Sequence, residues 1–165
     1  GGSWQGFRTF FIRYLDDEIS VIVLTNTSSG KPGEIARGIA ARFEPKLKLP
    51  NASPIDDSDP ALTQRLQRMI EELAAGKPTL KDYSMSQDEL TSYNKYFGER
   101  VRAKGQLQEL RLFRRGERGN SPVYDYRARF KDGLMDVALT LDPKGKVSQL
   151  GFGSVEQWDA PLSPN

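Results

Sequence analysis

Tyr124-Asp125-Tyr126-Arg127-Ala128-Arg129-Phe130-Lys131-Asp132-Gly133, followed by Leu134-Met135-Asp136-Val137-Ala138-Leu139-Thr140-Leu141-Asp142-Pro143-Lys144-Gly145, is the stretch on which the fold turns. Tyr124, Tyr126, Ala128 and Phe130 alternate with charged residues, and Met135, Val137, Leu139 and Leu141 occupy every second position of the next run. A period of two marks a strand buried on one face. Asp132-Gly133 supplies the two-residue turn that joins neighbouring strands, and Asp142-Pro143-Lys144-Gly145 supplies another. The pattern predicts strands over 107–115, 123–131, 134–142 and 146–152, the last three as an antiparallel meander.

Two helical patterns precede the strands. Asp59 is placed to cap a helix with Pro60 at its first position, and Leu62, Leu66, Met69, Ile70 and Leu73 form a stripe ending before Gly76. Ser86-Gln87-Asp88-Glu89 is a capping box, after which Leu90, Tyr93, Phe97 and Val101 share a face up to Gly105. The expected fold class is α+β, with two helices followed by a curved four-stranded antiparallel sheet over 59–158, and a tail over 159–165. This order, with the runs quoted above, resembles the cystatin-like cone known as the nuclear transport factor 2-like fold. Enzymatic members of that fold hold acid–base residues, often Asp and His, inside the cone. Here histidine is absent, and the residues expected to face inward include Tyr124, Tyr126 and Phe130. Their two readings are pocket lining and core, and core is the commoner fate of such rings. Asp125 and Asp136 fall on the opposite faces of their strands, where the pattern predicts solvated carboxylates paired with Arg127, Arg129 or Lys131.

Upstream, 45–58 is rich in Pro, Asn, Ser and Asp without apolar periodicity, and reads as a linker. Before it, Phe7–Tyr14 and Ile19–Thr25 read as strands, the second apolar on both faces and therefore expected to be buried on both. The 34–43 stretch reads as a helix whose Ile35, Ile39 and Phe43 cover that sheet. Such a small piece cannot shield its own strands. It either docks on the rest of the chain or completes a larger sheet.

Gly1-Gly2-Ser3-Trp4-Gln5-Gly6-Phe7, with the two strands and Leu24-Thr25-Asn26 after it, resembles the end of a β-lactamase or penicillin-binding-protein-like serine hydrolase domain of the class C type, covering 1–44. In that family a Lys or His, a small residue and a Gly lie on the strand edging the active site, and the next residue donates a backbone N–H to the oxyanion hole. The resemblance implies that Gly1 and Gly2 are the small residue and the Gly, that Ser3 is the oxyanion donor, and that the Lys or His precedes Gly1. Gly1-Gly2-Ser3 alone is also the composition of a flexible linker, a reading that leaves Gly6-Phe7 and the strands unexplained. The nucleophile motif of the family, Ser-x-x-Lys, is matched only by Ser28-Ser29-Gly30-Lys31, whose Ser, Gly and following Pro32-Gly33 are turn chemistry. Tyr93-Asn94 lacks the spacing of the family's Tyr-x-Asn motif. No catalytic residue is therefore expected in this chain.

What the resemblance implies for the whole is a C-terminal portion of a serine hydrolase: catalytic-domain end, linker, accessory domain. Its partner would be the missing N-terminal catalytic domain, its location periplasmic or secreted, and its cofactors none. The alternative is a stand-alone, non-enzymatic small-ligand-binding or dimerisation module; the unpaired apolar strand predicts either a homo-oligomer or a strand held against the accessory domain. With no histidine or cysteine, triads built on His, disulfides and His/Cys metal sites are excluded. A net charge of +2 exerts no long-range pull on nucleic acid, and the Arg111, Arg114, Arg115, Arg118, Arg127, Arg129, Lys131 cluster is diluted by Glu109, Glu117 and Asp125. No nucleic acid partner and no membrane span are expected.

Overall fold

The computed structural model describes residues 1–162. Its elements are β1 (Gly2–Trp4), β2 (Phe7–Tyr14), β3 (Ile19–Thr25), α1 (Pro32–Phe43), α2 (Pro60–Ala75), α3 (Gln87–Arg102), β4 (Leu107–Arg118), β5 (Ser121–Phe130), β6 (Gly133–Leu141) and β7 (Val147–Val155), with short 3₁₀ turns at Pro45–Leu47 and Leu80–Asp82. The class is α+β, with one antiparallel sheet ordered β1-β2-β3 and another ordered β4-β5-β6-β7. The chain divides into two compact units, Gly1–Pro50 and Asn51 onward.

In the second unit the alternation places the core. Tyr126, Ala128 and Phe130 of β5, Met135, Val137, Leu139 and Leu141 of β6, and Val147, Leu150 and Phe152 of β7 are buried on one face of the sheet. They pack with Leu62, Leu66, Met69, Ile70 and Leu73 of α2 and Leu90 and Val101 of α3. Helix α2 begins where its side-chain cap lies: Asp59 accepts from the Leu62 N–H, and Gly76 closes the helix in the left-handed region at φ 76°. Ser86 and Glu89 form the full capping box of α3. The two helices approach closely at Gly98, where a Cβ would stand 2.8 Å from the Leu73 carbonyl oxygen. All four strands, rather than the last three alone, are joined by tight turns, and β4 and β5 extend toward each other as far as Arg118 and Ser121.

The first unit departs from expectation on both of its faces. Ala36 and Ala40, not Ile35, Ile39 and Phe43, are the buried residues of α1, and they pack on Val21 and Val23 with Phe10, Ile12 and Tyr14 around them. The inner sheet face already carries bulky rings, so the helix approaches through its smallest residues. Phe43 is left 77% exposed, and Ile39, Arg42 and Phe43 line an open groove. Strand β3 is not buried on both faces either. Val21 and Val23 are covered, whereas Ile22 is 67% and Leu24 74% exposed. The β2–β3 register sets Phe11 opposite Ile22, and the β1–β2 register sets Trp4 opposite Phe7, so Trp4, Phe7, Phe11, Ile22 and Leu24 form one exposed apolar face.

The stretch expected as a linker over 45–58 is only partly one. Its first residues form the 3₁₀ turn, and 51–58 belongs with the second unit. The Ala52 N–H donates to the Asp159 carbonyl and the Ile55 N–H to that of Leu112, each at 2.9 Å. The expected tail over 159–165 is engaged at Asp159 and Ala160, and its last three residues, 163–165, lie outside the described residues.

Candidate functional site

The site suggested by Gly1, Gly2 and Ser3 is a sheet edge, and its geometry follows from one turn. Trp4 and Phe7 flank the two-residue loop Gln5-Gly6, both of whose φ angles are positive, 35° and 91°. That is the primed turn whose twist suits an antiparallel hairpin, and Gly6 carries the larger positive φ without a Cβ penalty. The pair flanking such a turn exchanges both ladder hydrogen bonds, and the pairs along an antiparallel ladder then alternate. Gly2↔Thr9 is accordingly bonded, while Ser3↔Arg8 is the open pair between them. Arg8 turns its backbone toward Thr25 on β3, as the β2–β3 register requires. The Ser3 N–H and C=O therefore point away from β2, out of the unpaired edge of the sheet.

The two glycines are not equivalent. A Cβ at Gly1 would lie 2.7 Å from the Thr9 carbonyl oxygen, closer than side chains are tolerated, whereas one at Gly2 would meet only the Thr9 hydroxyl at 3.5 Å. The small residue is sterically demanded at Gly1. Around this edge stand Trp4, 73% exposed, and Arg8, whose guanidinium donates to the Gly30 carbonyl. Ser28 and Ser29 lie in the turn before α1, with Ser29 hydrogen-bonded to Thr27, and Lys31 stands at the N-cap position of α1 without a side-chain capping bond, paired to Glu34 at 3.5 Å. They sit in a loop rather than at the start of a helix that would aim a serine.

The other candidates lie in the second unit. Tyr126 and Phe130 are in the main core, and Tyr124 packs against it, its ring centroid 6.4 Å from that of Tyr126. The Thr63 hydroxyl donates to the Tyr126 hydroxyl oxygen at 3.1 Å. Burial pushes the Tyr126 phenol up to about 12, against the smaller opposing effect of that hydrogen bond. Tyr83 and Tyr93 are raised by burial as well, and Tyr93 donates to the Leu150 carbonyl. These phenols hold their protons at neutral pH and act as packing groups; Tyr93 and Tyr126 are also hydrogen-bonded, whereas the buried Tyr83 hydroxyl has no partner among the described residues. Asn94, beside the expected Tyr93, is on α3 with its side chain against Gly98. Among the described residues no cluster of three or more His, Cys, Asp or Glu is placed to hold a metal ion, and no helix is long and apolar enough to cross a membrane.

The outer face of the four-stranded sheet is not the solvated charged surface that its alternation suggests. Arg127 is 0% exposed, its Nε and Nη2 gripping Asp136 at 2.6 and 3.1 Å while its Nη1 donates to the carbonyls of Gln157, Trp158 and Ala160. Its guanidinium lies 4.9 Å from the Phe113 ring centroid, and Arg129 lies 4.4 Å from that of Trp158, which meets Phe113 edge-on. The residues after β7 thus cross the sheet as a strap. An isolated buried arginine is costly, and here each of its three nitrogens donates to a carboxylate or carbonyl oxygen. Three more arginines of the cluster are paired: Arg114 with Asp125 at 2.5 Å, and Arg111 and Arg129 with Glu109 at 3.0 and 3.2 Å. Those arginines, Arg111 foremost, hold the Glu109 carboxyl below its usual range. Sequence reasoning missed the strap because alternation marks a face as polar without saying what lies over it. The signal was Trp158, an aromatic just past the last strand, within reach of an arginine pair.

No family model matches the chain, and neither the curated proteins nor the solved structures contain a match to it.

Proposed function

We propose that this chain is the C-terminal portion of a β-lactamase-related serine hydrolase, its first unit supplying the strand that edges the active site and its second unit a non-catalytic accessory domain of the nuclear transport factor 2-like kind. The observation that carries the reading is the outward Ser3 N–H on an unpaired edge, set there by the Gln5-Gly6 turn and preceded by the crowded Gly1. A backbone N–H fixed in a strand is a preorganised donor for the oxyanion that forms when a serine attacks a carbonyl. The bare faces of the same unit support the reading independently. Trp4, Phe7, Phe11, Ile22 and Leu24 on one side and Ile35, Ile39 and Phe43 on the other are exposed, more apolar surface than a free-standing sheet and helix carry. In this proposal the remainder of the catalytic domain covers both.

The nucleophile and its lysine would come from that remainder, and Ser3 would stabilise the tetrahedral intermediate on a β-lactam, a D-amino-acid peptide or an ester. The test is acylation. A longer polypeptide in which this chain is preceded by its natural upstream segment is expected to take up a fluorescent penicillin stoichiometrically or to cleave a chromogenic ester, while the 165-residue chain does neither. A folded longer polypeptide inert to both would overturn the proposal.

A further inference from the structure

We infer that the C-terminal strap is a clasp that closes the interdomain linker, so that the free tether between the units is 48–50 rather than 45–58. The strap is locked to the sheet by Arg127, whose Nη1 collects the carbonyls of Gln157, Trp158 and Ala160. From that anchored position Asp159 reaches the linker twice: its carbonyl accepts from the Ala52 N–H at 2.9 Å, and its Oδ2 accepts from the Asn51 side-chain amide at 2.8 Å. Farther along, the Ile55 N–H donates to the Leu112 carbonyl on β4, and Arg115 donates to the Ser58 hydroxyl. The anchors fall at 52, 55 and 58. A chain with three residues per turn, the conformation that Pro50 and Pro54 favour, returns one side to its neighbour at that interval.

The spacing lets the linker be fastened in sequence, with the Asp159 clasp as the end fastener nearest the first unit. Opening it frees 51–54 and leaves the Ile55 bond as the outermost fastener, ahead of Ser58, at a fraying end where local stability is lowest. The consequence is a change in reach. With the clasp shut the free tether is a few residues long, and with it open it grows to up to about a dozen, which lowers the effective concentration of any groups it joins. The clasp is independent of the hydrolase proposal, since all of its atoms belong to the second unit and its linker.

Amide exchange on the 165-residue chain tests it, with the core amides of Val137 and Leu139 reporting that the second unit stays folded. Trp158→Ala with Asp159→Ala alters two residues outside the main core, and is expected to speed exchange at Ile55 by about tenfold or more and to open 51–58 to thermolysin, while Val137 and Leu139 remain protected. Ile55 makes no bond to the strap, so its deprotection reads the coupling rather than the lost contact. Unchanged protection of Ile55 and resistance of 51–58 to cleavage in a folded variant would overturn the inference. If the double variant loses its core protection, Asn51→Ala, which removes only the bond to the Asp159 side chain, decides by the same two readouts.

Discussion

Leu139→Ala tests the register on which the second unit rests. Leu139 lies at the centre of β6, opposite Tyr124 on β5 and Leu150 on β7, and is 1% exposed. Removing three buried carbon groups forfeits about 2.4 kcal/mol at roughly 0.8 kcal/mol each. Residues of the same face, Val137 and Leu141, stand two positions away on either side and are held by the ladders, so the hole collapses only partly and the expected loss rises into the range of about 2–5 kcal/mol. For a unit of this size, with a urea slope of about 1–3 kcal/mol/M, the unfolding midpoint should fall by about 1–2 M. Ala138→Ser, one residue away on the exposed outer face, should move it by less than about 0.5 kcal/mol. Urea titrations followed by circular dichroism, with unchanged slopes, give both numbers. A loss below about 1 kcal/mol for Leu139→Ala would refute the register, because a slip of one residue sends Leu139 to the outer face.

Two further outcomes are expected. The 165-residue chain should self-associate in sedimentation runs over a concentration series through its bare first unit, and Ile22→Lys with Leu24→Lys, both on the exposed face of β3, should shift it toward monomer; association unchanged by the two lysines would place the contact elsewhere. Glu89 is held below its ordinary value of 4.5, first by the Ser86 N–H and then by the Ser86 hydroxyl. A depressed carboxylate contributes stability that is present above the ordinary value and lost as pH falls through the folded one. The urea midpoint should therefore drop more steeply below about pH 4.5 in the parent chain than in Glu89→Gln, and parallel profiles would show that the capping box does not persist in solution.

What could be read in advance, and what could not, follows from how local the signal is. The Ser86-Glu89 box, the Asp59-Pro60 start and the Gly76 stop each act within a few residues, and the structure places them in those roles, whereas the β5–β6 turn falls one residue before the expected Asp132-Gly133, at Lys131-Asp132, with Gly133 opening β6 opposite Phe130. The period-two faces of β5 and β6 were legible because one side of that sheet is closed by helices of the same unit. The face of α1 was not legible. Amphipathicity names the apolar side of a helix, and in the first unit the larger apolar side is the bare one while Ala36 and Ala40 make the contact. The same holds for β3, whose apolar residues say that both faces want cover without saying that only one is covered by the chain at hand. The pairing of Arg127 with Asp136 was legible across the sheet, but its burial was not, because its other partners, Gln157, Trp158 and Ala160, are backbone carbonyls thirty or so residues away, and carbonyls carry no sequence signal. The Ser3 edge was suggested by resemblance to a family, but the direction of its N–H came only from the hairpin register.

That direction gives the most direct test of the hydrolase reading. In the longer polypeptide, Ser3→Pro deletes the outward N–H without removing a ladder bond, since proline is tolerated where a strand's N–H faces away from its neighbour. Ser3→Ala keeps the N–H and serves as the control for the side chain. With both variants shown to fold, the account predicts that kcat for ester or β-lactam turnover falls by about 10²–10³ in Ser3→Pro, the loss that goes with one oxyanion donor, and changes little in Ser3→Ala. Equal turnover in the two variants would contradict it.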